Sequence, residues 1–167
     1  NYPNVVASQN KRLSSLSTGT DARAKWVATF VEYLKGHIEL GLPEEQRYFR
    51  WLDSGDIQTV EMLEDIAEIA RRVPEMRFWL PTRETTIFKQ WFLENNPPDN
   101  LCIRFSANVI GKPVTHGLAT LNKNLSESAV NYSDKDYEEC PAPTQDNSCG
   151  SCRKCWDPTV KVGYLLH

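Results

Sequence analysis

Residues 77–105 read RFWLPTRETTIFKQWFLENNPPDNLCIRF, and this stretch decides the fold class. Arg77 to Leu80 is a short apolar run stopped by Pro81-Thr82-Arg83-Glu84, the pattern of a buried strand. Thr85 to Glu94 carries Ile87, Phe88, Trp91 and Phe92 at helical spacing. Asn95-Asn96-Pro97-Pro98 breaks that helix, and Leu101 to Phe105 forms the next apolar strand, ending at Ser106-Ala107-Asn108. Strands joined through a helix lie parallel, because so long a connection crosses back over the sheet.

The same phrase stands upstream. Tyr48 to Leu52 is a compact apolar run ending in the polar turn Asp53-Ser54-Gly55-Asp56. Thr59 to Val73 follows as a helix, with Val60, Leu63, Ile66, Ala67 and Ala70 on one face and Glu61, Glu64, Glu68 and Arg71 opposite; Pro74 ends it. Earlier, Thr20 or Asp21 caps a helix in which Trp26, Phe30, Leu34 and Ile38 recur, and Gly41 and Pro43 stop it. Asn1 to Gly19 is a polar, serine-rich lead-in. These units predict an α/β protein, a partial β/α barrel or an open parallel sheet, over residues 1–111. Beyond Gly111 the periodicity fades. Residues 112–148, rich in Asn, Ser, Asp and Pro, read as a long loop, and Val160 to Leu166 as a last short strand. Residues 112–167 are thus expected to be a loop-rich segment packed on the core.

With 167 residues, 40% of them hydrophobic and 25% charged, the chain is long enough to bury a core of its own. A formal net charge of −3 provides no basic footprint for non-specific nucleic-acid binding. A mean hydropathy of −0.51 and apolar runs of only a few residues exclude a membrane-spanning helix. The opening residues hold no secretory apolar region, and the first residue is Asn rather than Met, which reads as a piece or processed form of something longer.

Five cysteines are present, and four of them fall in a window of sixteen residues with the spacing Cys140-x8-Cys149-x2-Cys152-x2-Cys155. An odd total without a signal peptide argues against a secreted disulfide framework and for a metal site in a reducing compartment. Each C-x2-C puts two sulfurs on one side of a tight knuckle, and Gly150 eases the bend. Three cysteines at consecutive x2 intervals wrap three corners of a 4Fe-4S cluster, with Cys140-Pro141 supplying the fourth. A tetrahedral Zn2+ site, the alternative, more often uses two separated C-x2-C pairs. The simplest role for either metal is to staple a loop-rich tail. Asp134, Asp136, Glu138, Glu139, Asp146 and Asp157 outnumber the nearby cations, so the module is a poor grip for DNA. Cys102, in a predicted strand, reads as a small core residue.

Parallel α/β sheets place ligands at the carboxyl ends of their strands. Here those ends are all polar. Asp53, Asp56, Arg83 and Glu84 are the candidate catalytic groups, and Ser54, Thr82, Arg104, Ser106 and Asn108 the candidate cofactor-binding groups. Carboxylates beside arginines position a phosphate, a cofactor carboxylate or a metal-bound substrate. The competing reading makes Asp56 or Thr59 a helix cap, and Arg83 and Glu84 solvated loop charges. His37 reads as a solvated helix residue, His167 as terminal, and His116 as a loop residue able to serve a site. No glycine-rich phosphate loop, nucleophile elbow or His-Glu-x-x-His pattern is present.

The phrases Tyr2-Pro3-Asn4-Val5-Val6-Ala7-Ser8-Gln9, Phe49-Arg50-Trp51-Leu52-Asp53-Ser54-Gly55-Asp56 and Trp79-Leu80-Pro81-Thr82-Arg83-Glu84 resemble a bacteriophage family, gene product 88. The tail Cys140-Pro141-Ala142-Pro143-Thr144-Gln145, then Cys149-Gly150-x-Cys152-Arg153-x-Cys155-Trp156, is its most specific part. The likeness covers nearly the whole chain. It implies a phage or prophage protein in the cytoplasm of a bacterial host, and a further cysteine-containing segment just upstream of Asn1. The Asp-Ser-Gly-Asp and Pro-Thr-Arg-Glu phrases are also similar to a second phage family related to radical-SAM enzymes. That likeness implies a cluster and S-adenosylmethionine at the strand ends, although these residues contain no C-x3-C-x2-C loop. Two functions are therefore expected. One is an iron–sulfur, radical-SAM-like metalloenzyme acting on a nucleotide, a nucleic acid or another host or phage molecule. The other is a non-catalytic accessory protein with structural zinc, whose partner is a host protein or nucleic acid.

Overall fold

A computed structural model describes residues 19–165 apart from Ser54, together with positions 7 and 10. The expectations placed on the lead-in, on Ser54 and on His167 lie outside the described residues. Residues 19–165 form three α-helices and six strands among the described residues: α1 (Thr20–Glu39), β1 (Tyr48–Arg50), α2 (Val60–Arg72), β2 (Arg77–Thr82), α3 (Thr85–Phe92), β3 (Leu101–Ser106), β4 (Leu125–Val130), β5 (Tyr137–Glu139) and β6 (Lys161–Tyr164). All strand pairs are parallel, in the order β1-β2-β3-β4-β6-β5, and the sheet is open and curled into a half-barrel.

The predicted helices form where the apolar spacing places them. Thr59 caps α2 by accepting from the Met62 amide, and the helix buries Leu63, Ile66, Ala67, Ile69 and Ala70. Gly41, at φ +93°, takes the left-handed conformation that ends α1, which buries Val27, Val31 and Leu34. These helices cover one face of the sheet. Phe78, Leu80, Leu101, Ile103, Phe105 and Leu125 point into that layer, and Trp26 and Phe30 of α1 pack against Trp51 just beyond β1.

Two expectations are corrected. First, β2 does not stop at Leu80 but continues through Pro81 and Thr82, which pair with Arg104 and Phe105. Arg77 and Trp79 use their backbone groups toward the β1 side, so Pro81 turns its missing donor the same way, where β1 has already ended at Arg50. Second, residues 112–148 are not one long loop. They contain β4 and the short β5, and β4 pairs with β3 in the middle of the sheet. Its sequence Leu-Ser-Glu-Ser-Ala-Val has no apolar run, yet Ser126, Glu127 and Ser128 are all buried. The sheet therefore takes three strands from each side of residue 111.

The strand order also explains where the cysteine segment lies. From β1 to β4 the chain steps along the sheet in one direction, with the helical connections on one face. From β5 to β6 it steps back. A right-handed crossover taken in the reverse direction must pass over the opposite face. Residues 140–160 accordingly cross the inner face, and the turn Lys154–Trp156 packs on β2 and β3.

Candidate functional site on the inner face of the sheet

Alternation along the strands sorts the polar residues onto two faces. On the inner face the registers put Arg50 beside Trp79 and Cys102, Pro81 beside Arg104 and Ser126, Ser106 beside Ser128, and Val130 beside Tyr164.

Arg104 is fully buried in the middle of β3, not at the strand end where a cofactor group was expected. Its guanidinium donates to the carbonyl oxygens of Glu127 (2.8 Å), Lys154 (3.0 Å), Asp157 (2.9 Å) and Val160 (2.7 Å), to that of Cys155 (3.3 and 3.4 Å), and to Ser126 Oγ (3.0 Å). Ser126 Oγ in turn donates to the Val160 carbonyl at 2.7 Å. One side chain thus bolts the segment 154–160 to the sheet. The planar fork of five donors suits arginine to this task, and lysine could not match it.

The remaining strand-end residues divide. The Asp56 carboxylate accepts from its neighbour's amide at Ile57 (2.8 Å), from Thr82 Oγ1 (2.6 Å) and from the Arg83 amide (2.8 Å). Thr82 Oγ1 also accepts from the Glu84 amide. Asp56 and buried Thr82 therefore clamp the loop after β1 to the end of β2. Asp53 projects into solvent, 3.8 Å from Arg50, with its side chain 99% exposed. Arg83 and Asn108 are exposed as well, and Glu84 is half-buried at the start of α3. Among the described residues of the predicted set, only Ser106 faces the inner cavity, 3.3 Å from Ser128 Oγ.

That cavity, of about 400 Å³, is lined by Arg50, Trp79, Pro81, Ser106, Ser128, Val130, Tyr164 and Leu165. The Arg50 guanidinium stacks over the Trp79 ring at 4.8 Å. Sequence reading missed Arg50, Trp79, Ser128 and Tyr164, because the strand-end rule looks at the loop after a strand rather than at alternate residues inside it. A second cavity of about 490 Å³ lies across the turn 154–156, lined by Tyr48, Arg77, Asn100, Cys102 and Trp156 among others.

The four cysteines sit along the crossover. Cys140 follows β5, and its amide donates to the Gly163 carbonyl at 2.8 Å. Cys149 is exposed, Gly150 is left-handed at φ +50°, and the Cys152 amide closes the knuckle on the Cys149 carbonyl at 2.8 Å. Cys155 is buried against Trp79 and Val162, with Cys140 and Trp156 packed beside it. Burial pushes the Cys155 thiol up; the Tyr164 hydroxyl, 3.2 Å away, pulls it back, while charge on Cys140 and Cys149 adds to the rise. All four thiols are free. Among the described residues, no group of three or more His, Cys, Asp or Glu side chains is placed to hold one metal ion. The thiols are neighbours, but they are not gathered as a ligand set.

A family model described as Gene product 88 matches residues 1–158. The chain belongs to the gene product 88 family. The match runs through α1 to α3, strands β1 to β5 and the four cysteines, so the phage resemblance read from the sequence holds. No curated protein and no solved structure matches the chain, and neither comparison supports the radical-SAM likeness. Among the described residues, no helix of this family member is long and apolar enough to cross a membrane.

Proposed function

We propose that this gene product 88 protein is a phage metalloprotein of the host cytoplasm, with Cys140, Cys149, Cys152 and Cys155 as thiolate ligands of an iron–sulfur cluster. The observation that carries the reading is the anchoring by Arg104. The tail is already held to the sheet by a buried guanidinium and six oxygen acceptors, so a metal is not required merely to staple it. Four free thiols of soft ligand character on one crossover then call for another purpose. A cluster bound there would supply electron transfer or a redox-sensitive cover for the inner cavity, because Cys155 touches Tyr164 of its wall. The described geometry leaves the sulfurs ungathered, so binding must draw the exposed Cys149 knuckle toward Cys140 and Cys155.

An enzymatic, radical-SAM-like role on a nucleotide, a nucleic acid or another host or phage molecule extends this reading. Its support is the parallel half-barrel with a cavity toward the carboxyl ends of its strands. The second reading is structural zinc in a non-catalytic accessory protein with a host protein or nucleic acid as partner, favoured by the single Cys149–Cys152 knuckle.

Metal analysis and visible absorbance of protein purified without oxygen test the proposal. About four irons per chain and a brown colour are expected, both lost in a Cys149→Ser, Cys152→Ser double variant. About one zinc and no colour would move the assignment to the accessory reading, and no bound metal would overturn both. Reductive cleavage of S-adenosylmethionine by the iron-loaded protein then decides the enzymatic extension.

A further inference from the structure

The inner cavity is lined by one cation, three hydroxyl-bearing side chains and an apolar wall. Arg50 stands at its mouth as a half-exposed cation, held only loosely by the solvent-bathed Asp53. Trp79 forms its floor, only 6% exposed, with its ring beneath the Arg50 guanidinium and its indole N–H closed off from the cavity. Ser106 and Ser128 add two hydroxyls 3.3 Å apart, so one proton satisfies the pair and the other is free to donate elsewhere. No carboxylate lines the cavity among the described residues, and Pro81, Val130 and Leu165 supply an apolar wall.

From this juxtaposition we infer that the cavity is a binding site for a small oxyanion-bearing molecule, a carboxylate or a phosphate monoester with an apolar body. Arg50 takes the anionic head, the serine hydroxyls complete its donors, and the apolar body lies along Pro81, Val130 and Leu165. An anionic head is what the guanidinium selects, and a neutral alcohol of equal size leaves it without a counter-charge. The site is built from other residues than the four cysteines. It therefore stands whether the crossover carries iron, zinc or no metal.

The test follows indole N–H signals of the full chain by NMR, with the Trp79 signal assigned through Trp79→Phe. Phenyl phosphate, phenylacetate and the neutral 2-phenylethanol are the probes. A saturable shift of the Trp79 signal with either anion, at least tenfold weaker with the alcohol, is expected, and the stronger anion tells phosphate from carboxylate. Arg50→Gln should weaken that anion at least tenfold while the other indole signals keep their positions. Arg72→Gln, an exposed charge on α2, should leave the affinity within twofold. Absence of a Trp79 shift with both anions, an equal shift with the alcohol, or unchanged affinity in Arg50→Gln would overturn the assignment. If Arg50→Gln misfolds, Ser128→Ala, which removes a donor without adding bulk, serves in its place with the same expected loss.

Discussion

The guanidinium of Arg104 and the carbonyl oxygen of Val160 lie 2.7 Å apart across 56 residues of sequence, and this bond ties the cysteine crossover to the centre of the sheet. The same guanidinium serves four other backbone carbonyls, so its loss orphans several buried acceptors at once. Arg104→Met is expected to lower stability by about 3 kcal/mol or more, since each buried acceptor left unpaired costs on the order of 1 kcal/mol or more. Limited proteolysis should also open the segment 145–160 before the rest of the chain. Arg104→Lys keeps the charge but brings three donors, and should recover only part of the loss. An unchanged urea midpoint in Arg104→Met would remove the bolt from the account.

Asp56 and Asp53 are separated by three positions and differ completely in surroundings. Asp56 accepts three hydrogen bonds that bind the end of β2, whereas Asp53 is solvated. Asp56→Ala should therefore cost about 2 kcal/mol, and Asp53→Ala less than about 0.5 kcal/mol. Equal losses in chemical denaturation would show that the clamp between the β1 loop and Thr82 does not carry the difference.

Cys102 and Cys149 should differ sharply toward alkylating reagents. Burial pushes the Cys102 thiol up to about 11, with Arg104 pulling weakly the other way. At pH 8 that leaves about one thiolate in a thousand, in a side chain that is 3% exposed. Iodoacetamide in the presence of a chelator should modify the exposed Cys149 first, and Cys102 only on unfolding. Peptide mapping by mass spectrometry reads the order; early modification of Cys102 would contradict its burial.

His116 gives the fold a dependence on acid. Burial holds its imidazole below the usual histidine value, against a smaller upward pull from Glu127, and Nδ1 accepts from the Leu118 amide. The unfolded chain therefore binds a proton at a higher pH than the folded one. The contribution of the neutral ring is full above the ordinary histidine value of about 6.5 and is lost as pH falls through the lower folded value. His116→Gln keeps an acceptor and cannot titrate. Urea midpoints of the parent chain should fall faster than those of this variant as pH is lowered from 7.5 to 5, and parallel slopes would rule out the effect.

The units β1 to β3 with α1 to α3 were legible because their burial follows apolar periodicity, and Thr59 and Gly41 mark ends by chemistry visible in the sequence. β4 was not legible. Its inward residues are serines satisfied by Arg104, Val160 and Ser106, and Glu127 on the other face is met by Tyr137 (3.1 Å) and Lys161 (3.1 Å). Partners that lie far away in sequence made those polar residues fit for burial, and no local pattern encodes such partners. The strand-end residues do not gather in one place, for a related reason. Asp56 and Thr82 look outward to each other, Arg104 looks inward to the crossover, and a list of polar types does not record which way each one faces.

The place of β6 between β4 and β5 has a further consequence, for the order in which the chain becomes structured during synthesis. β5 leaves the ribosome before β6 but has no sheet neighbour except β6 among the described residues. Until residues 161–164 emerge, β4 presents a bare edge on that side, and the crossover lacks the Gly163 carbonyl that holds the Cys140 amide. Folding of this part of the sheet is thus deferred until β6 is made, and chains stalled before it would expose an unpaired parallel edge prone to association.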